Sequence, residues 1–298
     1  MEQGLRPDIR DDSLLGSDTS SQRSLGFKRL DGGGAMMKFV RANEPVLYGA
    51  AGVLLWLAVW ESAVRLGAFD ARDVPPPSAV LAELSVRIVS AEYWLDTWRS
   101  LTAAFIGLLI ATAIGMPLGV AAGRSQLVWR SIRPTVEFLR PIPGLTLIPL
   151  TVLAWGPSVK SDIFLITIGC LWPMFLQTMY GVRAVDDVAK QTARSYGMNV
   201  FERILRVELP SALPYLFTGL KISAAVALII AISAELIIGT PGLGSAIRRQ
   251  QESLDVSGMY ALIVASGLLG IAVYLLFEGL ERRYLYWARA QSRTGAKR

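Results

Sequence analysis

"RAVDDVAKQTARSYGMNVFERILRVELPSALP", residues 183–214, is a polar stretch set between two long apolar segments. Its first half carries Val185, Val188, Ala189, Thr192, Ala193 and Tyr196 at helical spacing, giving one apolar face opposite Asp186, Asp187, Lys190 and Arg194. Gly197 ends that helix. Asn199, with Glu202 three residues on, has the pattern of an N-cap and its capping-box partner. It opens a second short helix through Phe201, Ile204 and Leu205 that Pro210 is expected to close. The segment predicts two short helices at a fixed angle.

Outward from this stretch the apolar residues fall in blocks. The chain is 52% hydrophobic and 18% charged, with a mean hydropathy of +0.42, too apolar for a solvated surface around a domain of 298 residues. A bilayer core asks for roughly 20 apolar residues per helix. Spans are read near 46–66, 101–122, 136–155, 162–180, 216–238 and 259–280. The predicted fold is all-α, a polytopic membrane protein with six transmembrane helices in the lipid bilayer, and six spans put both termini on one side.

Lys and Arg decide which side. The two tails with the 123–135 and 181–215 loops hold twenty-one, and the loops of the opposite face hold six. The richer face is cytoplasmic by the positive-inside rule, which places both termini and residues 183–214 in the cytoplasm. The layout that follows is a cytoplasmic disordered tail (1–45), a first span with an extracytoplasmic interfacial helix (46–100), a five-span core (101–280) and a basic cytoplasmic tail (281–298). No signal-peptide pattern precedes the first span, whose Trp56 and Trp60 suit an uncleaved, aromatic-anchored helix. Pro75-Pro76-Pro77 starts the interfacial helix, with Val80, Leu81, Leu84 and Ile88 on one face.

Several chemistries are excluded. Histidine is absent and the single cysteine, Cys170, lies in an apolar span, so histidine bases, histidine metal sites, cysteine clusters and disulfides are unavailable. No Gly-rich loop ends in Gly-Lys-Ser/Thr, so the chain holds no P-loop. Gly239, Gly242 and Gly244 read as a turn between a span and an outer helix. No cofactor, metal or nucleic-acid partner is expected.

Small residues recur every fourth position in two spans. Gly107, Ala111, Gly115, Gly119 and Gly123 form one ridge, and Gly219, Ser223, Ala227 and Ala231 another, for close backbone approach between membrane helices. Glu235 lies deep in an apolar run on the face of Ala224, Leu228 and Ala231. It is expected to point inward, either fixing the outer end of its helix or serving a gate. Arg140 and Lys221, about a turn inside the cytoplasmic ends of their spans, either snorkel or make the inner end of a pathway cationic. Pro141, Pro143 and Pro149 break the hydrogen-bond ladder beside Arg140, and irregular backbone at that depth is tolerated beside a cavity, so 139–151 is read as pathway wall.

The 183–214 stretch resembles the signature cytoplasmic loop of ATP-binding-cassette importer permeases. The segments "SLTAAFIGLLIATAIGMPLGVAAG" (100–123), "LRPIPGLTLIPLTVLAWG" (139–156) and "AELIIGTPGLGSAI" (234–247) look like the nitrate/sulfonate/taurine branch of that family. Gln191 and Thr192 depart from the Glu and Ala common in that loop, and Val207 from a common Ile. The resemblance implies a type I, MetI-like permease without catalysis of its own, in a cell inner membrane. Two cytoplasmic ATPase subunits would dock at Ala193, Tyr196, Gly197, Asn199, Phe201, Leu209 and Pro210. It also implies a second permease subunit in a homodimer, an extracytoplasmic substrate-binding protein, and a small anion such as nitrate, a sulfonate or taurine as cargo. For the 219–231 ridge it implies a subunit interface or pathway lining. A self-sufficient secondary transporter or channel is the rival, and would be expected to show paired intramembrane carboxylates or an inverted repeat. An intramembrane enzyme has neither histidine nor paired buried carboxylates to work with.

Overall fold

The computed structural model describes the backbone of residues 32–285 and the side chains of 47–285. The chain divides into two units, residues 1–56 and 57–298, and the packing below lies within the second. Helix α1 (Gly32–Arg65) starts before the first predicted span and carries it over Leu47–Arg65. The expectation for residues 1–31 falls outside the described residues, as does that for the chain beyond 285. No strand occurs among the described residues.

Five helices among the described residues are long and apolar enough to cross a membrane, or six if one bent pair counts as a span. That pair is the predicted third span. In place of one helix over 136–155, α4 (Gln126–Leu139) is followed by a 3-10 turn (Gly144–Leu147) and α5 (Ile148–Trp155), with a bend of 79° at the break. Pro141 and Pro143 offer no N–H to continue the ladder, while Pro149 sits in the first turn of α5, where a missing N–H costs nothing. Before α4, the helix predicted to be interfacial, α2 (Pro77–Arg87), buries Val80 and Leu84 and leaves Leu81 exposed.

The core is built from α3 (Ala91–Arg124), α6 (Val159–Arg183) and α9 (Leu209–Ile238). The 107–123 ridge lies on α6. A Cβ at Gly119 would stand 2.6 Å from the Phe175 carbonyl oxygen and 2.7 Å from Thr178 Cβ, and one at Gly123 2.8 Å from Val182 Cβ. At Gly115 the Leu171 carbonyl would be 3.2 Å away. Any side chain there would push the backbones apart, so van der Waals contact between α3 and α6 rests on glycine.

The second ridge corrects an expectation. Rather than facing a subunit interface or a pathway, it is buried inside the protomer, with Ala227 and Ala231 among the fully buried residues that join α9 to α3 and α6. Ser223 Oγ donates to the Cys170 carbonyl at 3.1 Å, Cys170 Sγ donates back to the Ser223 carbonyl at 3.2 Å, and a Cβ at Gly219 would meet Gln177 Cβ at 3.0 Å. Small residues signal close approach without saying which helix approaches. Helix α11 (Val256–Tyr284) flanks this core, and Ala261, Leu262 and Ala265 pack with Val80, Leu84 and the apolar side of α10 (Leu243–Glu252).

Candidate coupling loop and pathway wall

The polar stretch begins with α7 (Asp187–Ser195), whose N-cap Asp186 accepts from the Val188 N–H at 2.8 Å. It ends in a Schellman arrangement: Gly197 N–H donates to the Arg194 carbonyl at 2.9 Å and Met198 N–H to Ala193 at 3.1 Å. Gly197 is left-handed, with φ of 72°. The single apolar face expected of this helix is divided. Val185 and Ala193 turn inward and are buried, while Val188 and Tyr196 stand 67% and 83% exposed.

Asn199 then caps α8 (Val200–Arg203): its Oδ1 accepts from the Glu202 N–H at 2.8 Å, and the Glu202 carboxylate accepts from the Asn199 N–H at 3.0 Å. Pro210 does not close this second helix, as the sequence reading expected. A π turn, Ile204–Glu208, carries the chain straight into α9, and Pro210 lies in the first turn of that helix. Leu209 N–H reaches back five residues to the Ile204 carbonyl, so the ladder has already slipped by one residue when it meets the proline that cannot donate. The second short helix is thereby an extension of a span, Val200–Ile238, rather than a separate arm. Val200, Phe201 and Leu205 are exposed on it, close in sequence to exposed Tyr196.

A joint missed in the sequence ties this loop to the core. Glu208, buried, lies 3.2 Å from Arg124 at the end of α3. Arg183 donates to the Ala122 carbonyl at 3.1 Å and lies over the Trp129 ring, 5.1 Å from its centroid. Arg124 and Arg183 read in the sequence as ordinary flanking positive charges. Only Glu208, an acid at the foot of an apolar run, offered a signal.

The pathway candidates separate. Lys221 pairs with Glu281 of α11. Pro143 precedes the 3-10 turn and Pro149 starts α5. Arg140, at the C-terminal end of α4, lines a cavity of about 350 Å³ with Gly169, Trp172, Pro173, Gln177, Tyr180 and Ile222, among others.

Glu235 is buried at the other end of α9. Its Oε2 accepts from Ser100 Oγ at 2.7 Å and from the Gly244 N–H at 3.0 Å, while Ser100 Oγ accepts from the Leu243 N–H at 2.9 Å. The carboxylate thus joins α3, α9 and the start of α10, and Gly242 leaves the space it fills. Asp162 of α6 is also buried and lines the adjoining cavity with Glu235 and Arg99, which corrects the expectation that the chain lacks paired buried carboxylates. It was missed because it stands near a helix start, where an acid is ordinary. Asp96, buried as well, is held by Arg249 at 2.7 Å and Arg99 at 3.3 Å.

Residues 115–286, which contain the 183–214 stretch, Arg140 and Glu235, match the family model described as binding-protein-dependent transport system inner membrane component. The chain belongs to that family. This permease is 32% identical over 236 residues to the taurine transport system permease protein of Escherichia coli, covering 78% of this chain and 86% of the relative. It is 28% identical over 259 residues to the bicarbonate transport system permease protein of Synechococcus elongatus (83% and 92% covered). With the nitrate import permease protein of a Synechocystis species it shares 26% over 248 residues (80% and 89%). Among solved structures, a chain of the inward-facing MetNI methionine ABC transporter superposes with a TM-score of 0.57 at 19% identity, covering 62% of the permease and 93% of that chain. The fold is accordingly that of ABC importer permeases. The permease is a multi-pass inner membrane component of a binding-protein-dependent importer, and works with an ATPase and a substrate-binding protein.

Proposed function

We propose that this permease forms the translocation pathway for a small anion of the nitrate, sulfonate or taurine kind, as a homodimer served by two ATPase subunits. Both termini and residues 183–214 face the cytoplasm, in keeping with the distribution of Lys and Arg. The interfacial helix α2 lies outside, residues 101–280 form the permease core and the tails 1–45 and 281–298 lie inside. ATP is hydrolysed on the partner, since the chain has no P-loop lysine. The anion assignment rests on the names of the relatives in taurine, bicarbonate and nitrate transport.

One observation carries the reading. Val188, Tyr196, Val200, Phe201 and Leu205 are exposed on a twice-capped polar loop that continues directly into a core helix. Exposed apolar side chains on this capped loop and at the polar foot of the Val200–Ile238 span ask for a protein partner, and the unbroken path from α8 into α9 lets the partner's motion reach the core as a rigid displacement. Ala193, Gly197, Asn199, Leu209 and Pro210 hold this geometry, while Tyr196 and Phe201 make the contact. Glu235 fixes the outer end of α9, and the 139–151 segment forms the wall. Co-purification with its ATPase tests the reading: Phe201→Asp should lower recovery of the ATPase at least tenfold while the permease still inserts. Uptake that persists without any ATPase, driven by an ion gradient, would overturn it.

A further inference from the structure

Three cations near the inner ends of α3, α6 and α9 are already engaged: Arg124 with Glu208, Arg183 with Trp129 and the Ala122 carbonyl, and Lys221 with Glu281. Arg140 differs. Among the described residues no carboxylate lies within ion-pairing distance of it, and the nearby acid on its own helix, Glu137, is held by Arg133 at 2.7 Å. The negative end of α4 favours a positive charge at this position but accepts few of a guanidinium's five N–H groups. A cation at a broken span stands toward protein or water rather than lipid, and Arg140 lines the cavity of about 350 Å³ described above.

The other polar side chains of that cavity include neutral donors, the Gln177 amide and the Tyr180 hydroxyl, and no carboxylate lines it; Glu137, held by Arg133, lines the adjoining cavity that shares Arg140 and Tyr180. Gly219 lets α9 press against the stem of Gln177, which fixes where the amide starts. Trp172, Pro173 and Ile222 supply apolar wall. A fork of N–H groups, two neutral donors and a partly apolar lining fit a small oxyanion, whose oxygens accept bidentate bonds from guanidinium.

We propose that Arg140, with Gln177 and Tyr180, forms an oxyanion subsite at the inner mouth of the pathway. The inference deepens the importer reading and rests on it for what passes through the site. The same phosphate-like chemistry is offered by a phospholipid headgroup, and the test separates the two sources.

The experiment uses the whole permease–ATPase complex in vesicles, with Gln177→Cys in a Cys170→Ala background. The probes are two methanethiosulfonate reagents, the anionic sulfonatoethyl and the cationic trimethylammonioethyl compound. With Arg140 present the ratio of anionic to cationic modification rates should exceed that in Arg140→Gln by about tenfold, because a single-sign cleft concentrates counter-ions. Arg140→Lys, which keeps the charge, should retain most of the preference, so a general loss of structure in the Gln variant is recognised by comparison. An unchanged ratio in Arg140→Gln overturns the subsite. So does a ratio that is low in vesicles containing phosphatidylglycerol and rises in pure phosphatidylcholine, since the guanidinium would then belong to lipid. Failure of the importer reading shows separately, as a permease that does not retain its ATPase.

Discussion

Replacing Gly197 isolates the lever from everything around it. Its φ is 72°, and a Cβ added there has no atom within 4 Å, so a substitution meets no packing clash and the whole cost is conformational. For an L-residue the left-handed region costs about 1–2 kcal/mol, least for Asn and most for β-branched residues. A local equilibrium changed by that amount moves by roughly 5- to 30-fold. The α7 end would leave its Schellman arrangement, and Tyr196 would lose its fixed relation to Phe201. The assay is substrate molecules accumulated per ATP hydrolysed in reconstituted vesicles carrying the full complex. Gly197→Asn should stay within about twofold of the parent, Gly197→Ala should fall about fivefold and Gly197→Val tenfold or more, with membrane insertion near normal throughout. Full coupling in Gly197→Val would refute the reasoning. An order that follows side-chain volume, with Asn worse than Ala, would refute it as well.

Other outcomes follow from the packing. Gly119→Ala places a Cβ 2.6 Å from the Phe175 carbonyl oxygen and should lower the stability of the purified permease by about 1–3 kcal/mol, whereas Gly267→Ala, with open space around it, should not; thermal unfolding of the pair in one detergent decides. Glu208→Ala leaves Arg124 without its partner in a largely buried joint and should cost about 3–5 kcal/mol, read by the same method and accompanied by faster proteolysis of the 183–214 loop. Ser100→Ala removes one bond to Glu235 and one from Leu243 N–H, for a loss of about 1–3 kcal/mol; hydrogen exchange should rise first at the start of α10.

What the sequence made legible were the features set by local chemistry. Asn199 and Glu202 form a capping box because two residues three apart decide it, and Gly197 takes the left-handed turn for the same reason. The apolar blocks give the spans because lipid imposes a length. The failures involve choices between partners or between hydrogen-bond registers. Pro210 has the sequence pattern of a terminator, yet proline suits a first turn equally well, and a one-residue slip over Ile204–Glu208 turns a stop into a continuation. The 219–231 ridge announced close packing, but which surface met it depended on Cys170 and Gln177 of α6, roughly forty to fifty residues away. Lys221 and Arg140 looked alike in sequence. Glu281, on a distant helix, separates them.

The central claim is that residues 183–214 meet an ATPase on the inner membrane face, and a cysteine at Phe201 in a Cys170→Ala background tests it most directly. A membrane-impermeant maleimide should label this cysteine in inside-out vesicles and not in intact cells, with labelling suppressed when the ATPase is bound. Labelling from outside intact cells, or labelling indifferent to the ATPase, would contradict the account.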